Sequence, residues 1–212
     1  MPHKREGIAL LVIGGALLTV SGVSPHDRIT WVLETFPIFL AVPLVIATGK
    51  HFPLTPLAYR LIFVHALVLM LGGHYTYAQV PVGFWIQDLL GLSRNHYDRL
   101  GHFVQGFVPA VIARELLIRT SLLAPGKWLF VLVAAVCLAI SAGYELIEWA
   151  AALVFGETAD AFLGTQGDEW DTQWDMFLAL VGAIVSQILL ARVHDKHLAR
   201  LNAVKRDSDP SP

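Results

Sequence analysis

Asp98 and His102 stand four residues apart, Glu145 and Glu148 three apart, and Asp171 and Asp175 four apart. On a helix each of these spacings puts both side chains on one face. Gln105 continues the Asp98–His102 face one turn further on. Asp168 and Glu169 precede Asp171 in a loop that reads Gly164-Thr165-Gln166-Gly167. Carboxylates and imidazoles at such spacings, facing inward from several helices, are how helical bundles build metal sites. Oxygen-rich ligand sets suit Mg²⁺, Ca²⁺ or Mn²⁺, and an added histidine shifts the balance toward Mn, Fe or Zn. The expected ligands are Asp98, His102, Asp171 and Asp175, with Glu145, Glu148 and Asp168 as catalytic acid–base groups and His74 and His96 as second choices. The cofactor expected is a divalent metal (Mg, Mn or Zn). It would lower the pKa of a bound water, and a spare carboxylate would act as general base. The chain has no Gly-x-Ser-x-Gly, no paired cysteines and no phosphate-cradling loop, so neither a nucleophile nor a cofactor-binding motif stands beside these residues.

The elements that must position these groups follow from composition. Of 212 residues, 55% are hydrophobic and only 15% charged, with mean hydropathy +0.58. Soluble domains carry about 25% charged residues and are less apolar, so lipid is the expected solvent. A net charge of −2 without a concentrated basic face excludes nucleic acid as a partner and leaves membrane lipids as the expected one. The single cysteine, Cys137, lies in an apolar run and reads as a small buried hydrophobe. Crossing about 30 Å of hydrocarbon takes about 20 predominantly apolar residues. Segments 6–23, 29–48, 56–78, 100–119, 128–154 and 173–193 meet or approach that requirement, and Pro and Gly punctuate the connections between them. The first could pass for a signal peptide, but its end, Thr19-Val20-Ser21-Gly22-Val23-Ser24, is a poor cleavage site and a retained span is expected.

The expected fold is therefore all-α, a polytopic transmembrane helical bundle of about six spans. It forms a single domain over 1–194, followed by a short, partly disordered cytoplasmic tail over 195–212. Both termini are expected inside, because that orientation puts twelve Lys and Arg residues at cytoplasmic ends and only Arg28, Arg94 and Arg99 outside. At a rise of about 1.5 Å per residue, Glu145 lies roughly 26 Å from the cytoplasmic start of its span. Glu34, His74, Asp98, His102, Asp171 and Asp175 fall at a similar depth. Several helices thus deliver acids and imidazoles to one thin layer near the outer face.

Each feature also has a structural explanation. Asp171 and Asp175 suit the positive end of a helix macrodipole, and Asp98 could be a cap paired with Arg94 or Arg99. Glu145 and Glu148 sit late in their span, where the dipole disfavours acids, though they could serve as interhelical glue. Trp85, Trp149, Trp170 and Trp174, with Tyr75, Tyr77 and Tyr97, read as an aromatic belt. His194 and His197 read as residues of the solvated tail. Three functional readings stay open: a metal-dependent site acting on a lipid or envelope substrate, a small transporter or proton-coupled permease, and a non-catalytic envelope protein. The third requires the carboxylates to pair off with Arg28, Arg94 and Arg99 and not to face one another.

Three stretches carry a family resemblance: Asn95-His96-Tyr97-Asp98-Arg99-Leu100-Gly101-His102-Phe103-Val104-Gln105-Gly106-Phe107, Tyr144-Glu145-Leu146-Ile147-Glu148-Trp149, and Leu163-Gly164-Thr165-Gln166-Gly167-Asp168-Glu169-Trp170-Asp171-Thr172-Gln173-Trp174-Asp175-Met176. With them the chain resembles the YjdF-like family of bacterial inner-membrane proteins from span 1 to span 6. The resemblance implies a multi-pass helical protein of the bacterial inner (cytoplasmic) membrane and carries no catalytic residue over. The closing Asp-x-x-x-Asp block is also faintly similar to VanZ-like membrane proteins, which are associated with resistance to glycopeptide antibiotics.

Overall fold

A computed structural model of the protein describes residues 2–156 and 160–208. Among these residues the regular structure is entirely helical. Long helices α1 (Pro2–Ser21), α2 (Arg28–Thr48) and α3 (Pro56–Tyr75) come first. A 3₁₀ turn (Tyr77–Gln79) leads into the short helix α4 (Pro81–Leu90). Then come α5 (Tyr97–Thr120), α6 (Lys127–Phe155), the single turn α7 (Asp160–Leu163) and α8 (Asp171–Ser208).

Local signals account for the boundaries. The Asp27 side chain accepts from Thr30 N–H at 2.7 Å and opens α2 as its N-cap. Thr55 caps α3, where Pro56 occupies the first turn and needs no donor. The stretch from Pro81 to Gly91, read in the sequence as connection, is itself a helix. Its Pro sits in the first turn and its Gly, at φ 63°, is the left-handed residue that ends it. This helix exposes Phe84, Trp85, Leu89 and Leu90.

Among the described residues, four helices are long and apolar enough to cross a membrane: α2, α3, α6 and the Asp171–Ala203 part of α8. The remaining two expected spans are also helices. α1 carries Lys4, Arg5 and Glu6 in its first turns, and α5 holds Asp98, His102, Arg114 and Glu115, all four buried against neighbouring helices. A helix enclosed by others need not be apolar all round, which is why α5 is the least lipid-like of the long helices and yet central.

The long helices alternate in direction. At one end α1, α3 and α5 are joined: Arg60 pairs with Glu6, and Glu115 accepts from Thr55 N–H at 3.0 Å. At the other end His26 N–H donates to His74 C=O at 2.8 Å, and Arg94, before α5, reaches Asp171 on α8. α5 packs most extensively on α8, then on α6 and α3. Small residues make the α5–α8 approach close: a Cβ on Gly106 would lie 1.8 Å from the Ala179 carbonyl oxygen, and one on Gly182 would lie 2.1 Å from that of Phe103. Ala110, Ala113, Leu129, Val133, Cys137 and Ala183 form the apolar core beside this contact, with Cys137 fully buried as expected.

α8 continues through the segment expected to be tail, and His194 is wholly buried, contrary to the solvated position its place in the sequence suggests. Of the tail expected over 195–212, residues 209–212 lie outside the described residues. The aromatic expectation divides in the same way. Trp85, Trp149, Trp170, Trp174 and Tyr75 are exposed, whereas Tyr77 and Tyr97 are buried and pack ring to ring at 5.4 Å. Gly72 and Gly101 leave room for the Tyr77 ring between α3 and α5.

Candidate functional site

His102 on α5 is the hub of the acidic layer. The helix carries it one turn below Asp98, and its Nε2 lies 3.6 Å from Asp98 Oδ1 and 4.0 Å from Asp175 Oδ2 of α8. Its Nδ1 lies 3.7 Å from Glu145 Oε1 of α6 and 3.2 Å from Gln105 Oε1. Two triads therefore share one imidazole: Asp98, His102 and Asp175 on one side, and His102, Glu145 and Glu148 on the other. Within each triad one donor atom per residue lies within 4.8 Å of the others. All five residues are between 2% and 8% exposed.

Further groups enclose the cluster. Tyr144 packs edge-on against His102 and donates to Glu34 Oε2 of α2 at 3.3 Å, so a fourth helix reaches the layer. Phe162 of α7 packs edge-on against Tyr144 at 6.1 Å. Gly164, at φ 62°, brings its backbone over Asp98, leaving a would-be Cβ 3.7 Å from the carboxyl carbon.

The other acids expected at the site belong to a separate arrangement. Arg94 Nη2 lies 2.6 Å from Asp171 Oδ1 and 3.5 Å from Asp168 Oδ2, while Arg99 Nη2 lies 2.8 Å from Asp168 Oδ2. Arg94 also donates to the Thr165 carbonyl, and Arg99 lies over the Trp174 ring at 5.0 Å. Asn95 and Gln166 fasten the same loop: Asn95 N–H donates to Gln166 Oε1 at 3.2 Å, and Gln166 Nε2 donates to Asn95 C=O at 2.7 Å. Gln166 adopts φ 48°, a left-handed conformation unfavourable for a side-chain residue, which these two hydrogen bonds offset. Asp168 caps the approach to α8 by accepting from Trp170 N–H at 3.0 Å. That hydrogen bond, then Arg94 and Arg99, hold its carboxyl below the usual aspartate range.

The sequence-based set thus divides. Asp98, His102, Glu145, Glu148 and Asp175 come together, while Asp168 and Asp171 are held by arginines. His74 stands outside, with Nδ1 2.8 Å from the Ser21 carbonyl and its ring against Tyr75. His96 precedes α5 at the arginine loop. Burial and the adjacent Arg99 and Arg94 keep its imidazole below the usual histidine range. Glu34 and Tyr144 join the cluster although neither was singled out as a site residue. The depth of Glu34 in α2 was the signal for it, but only the tertiary fold brings its carboxyl within reach of Tyr144 on α6.

Chemically, the cluster is four carboxyl groups around one imidazole, and no arginine or lysine forms an ion pair with these four among the described residues. Glu145 Oε1 and Asp175 Oδ1 are buried without a hydrogen-bond partner. Buried charge of one sign needs a counter-charge or protons to balance it.

These features define a helical membrane protein with a buried acid–histidine cluster. The chain belongs to a family described as predicted membrane protein (DUF2238), whose model matches residues 7–196. It is 56% identical over 188 residues to the inner membrane protein YjdF of Escherichia coli (strain K12), covering 89% of this chain and 90% of that one. No solved structure matches. The protein is an inner-membrane protein, as the sequence resemblance implied.

Proposed function

We propose that Asp98, His102 and Asp175 bind one divalent cation, with Glu145 and Glu148 beside it as the groups that accept and return a proton. The observation that carries this reading is the pair of unpartnered buried oxygens, Asp175 Oδ1 and Glu145 Oε1, in a group of acids that no arginine among the described residues neutralises. Metal–ligand bonds of about 2.1 Å set ligand-to-ligand edges of roughly 3.0–3.4 Å. The 3.6 and 4.0 Å separations around His102 Nε2 contract to that range with small side-chain adjustments. One imidazole among carboxylates suits Mn²⁺ or Zn²⁺ more than a purely oxygen-ligated ion, with Mg²⁺ the third candidate.

The reaction class this supports is metal-assisted hydrolysis or group transfer on a lipid or envelope substrate. The bound ion would polarise a water or a substrate oxygen, and the glutamates would handle the proton. We take the bundle to have six spans with both termini cytoplasmic, as the Lys and Arg distribution favours, so that the cluster lies in the outer half of the membrane. Exposed Trp85, Trp149, Trp170 and Trp174 suit lipid headgroup depth.

The test is metal content by elemental mass spectrometry on detergent-purified protein supplied with Mn²⁺, Zn²⁺ or Mg²⁺ and desalted. The expected result is one ion per chain in the wild type, lost in Asp98→Asn, His102→Ala and Asp175→Asn. No bound ion under any of the three supplies, with melting temperature unmoved by them, overturns the proposal.

A further inference from the structure

We infer that Gln105 is the positioning residue of this centre: its side-chain carbonyl holds the proton of His102 on Nδ1 and so commits Nε2 to the cation. The inference rests on the metal-binding reading above. Gln105 lies three residues after His102 on α5, close enough on the helix for its amide to reach back to the ring. The Nδ1–Oε1 separation is 3.2 Å. The nearest other group on that side is Glu145 Oε1 at 3.7 Å, also an acceptor. On a neutral ring the proton stays on the nitrogen that has an acceptor within hydrogen-bond distance, which is Nδ1 against Gln105, whereas the carboxylates facing Nε2 stand at 3.6 and 4.0 Å. Nε2 then faces Asp98 and Asp175, the two carboxylates that complete a ligand set. Histidines that bind metals are commonly oriented by an acceptor on the other ring nitrogen, and loss of that partner typically costs 10–100-fold in affinity. The arrangement also separates roles: the Nε2 side holds the ion, and the Glu145–Glu148 side stays free to exchange a proton.

Manganese binding to the full-length protein in detergent, followed by the electron paramagnetic resonance signal of free Mn²⁺, tests the assignment. Gln105→Leu removes the acceptor and keeps the bulk, and Gln105→Glu restores an acceptor. The expected result is Mn²⁺ affinity weakened 10–100-fold in Gln105→Leu. It returns to within a few-fold of wild type in Gln105→Glu, with the melting temperature of the metal-free protein equal in all three. Wild-type affinity in Gln105→Leu overturns the inference and leaves the metal site standing. Equal weakening in both variants overturns it as well, since a packing defect would not distinguish an acceptor from a methyl group. A wild type that takes up no Mn²⁺ removes the metal reading and this inference together.

Discussion

Arg94 and Asp171 are joined at 2.6 Å through Nη2 and Oδ1, with both side chains largely shielded from solvent. This ion pair divides one run of acids into two populations, because it takes Asp171 away from the layer where Asp175, one helical turn further along α8, faces His102. Asp171→Asn is therefore expected to keep the metal that Asp175→Asn loses. It should still cost stability, because Arg94 is left with a weakened partner: hydrogen bonds to charged groups contribute about 1.5–3 kcal/mol. For a chain of about 200 residues, each kcal/mol shifts the melting temperature by roughly 2–4 °C. Thermal melting and metal content measured on the same two preparations check both halves. Loss of metal in Asp171→Asn at unchanged stability would put Asp171 back in the ligand set.

The loop from Gly164 to Trp170 covers the cluster, and Asp168 ties it down. Its carboxyl is held below the usual range by the Trp170 N–H, then by Arg94 and Arg99. A carboxyl depressed in the folded state stabilises the fold at any pH above its unfolded value of about 3.9. That contribution is lost as pH falls through the lower folded value. The wild type is expected to lose melting temperature below about pH 4. Asp168→Asn should melt lower at pH 7 and show a shallower fall over the same acid range. Parallel acid limbs in the two proteins would show that the loop is held by the Asn95–Gln166 pair and the Arg94–Thr165 contact without help from the Asp168 carboxylate.

How far the site was legible in the sequence depended on what each residue's position alone implies. Helical spacing put Asp98 with His102 and Glu145 with Glu148, and depth put them in one layer; the structure brings these four together with Asp175. Spacing could not separate Asp171 from Asp175, which share a helix face at i,i+4. What distinguishes them is Arg94, 77 residues away in sequence. Glu34 likewise enters only through the packing that brings α2 near Tyr144. The long helices were readable because apolar length is a strong signal in α2, α3, α6 and α8, and a weaker one in α1 and α5. α4 was not, because Pro81 and Gly91 mark a short helix and a loop equally well. His194 was misplaced for the opposite reason: a run of charged residues looks solvated, yet here a polar partner on α5 makes one face of it interior.

His194 is fully buried, with Nε2 3.1 Å from Glu115 Oε2 and Nδ1 3.1 Å from Arg114 Nη1. Arginine can only donate, so Nδ1 accepts, and the ring proton sits on Nε2, donated to Glu115. Glu115 is completed by Thr55, through N–H at 3.0 Å and the hydroxyl at 2.8 Å, and by Arg119 at 2.6 Å. Arg114 also reaches Asp195 at 2.7 Å. One imidazole thus fastens α8 to α5 and, through Glu115, to the start of α3. His194→Ala leaves Glu115 and Arg114 each one partner short in a buried setting, and a loss of about 2–4 kcal/mol is expected. Glutamine offers one acceptor and one donor, so His194→Gln should recover much of that loss. His194→Leu, of similar bulk, should not. Metal content should be the same in all three, because the network lies at the opposite end of α5 from His102. Melting temperatures that fall equally in the Gln and Leu variants would mean that ring packing, and not the two hydrogen bonds, holds this end of the bundle.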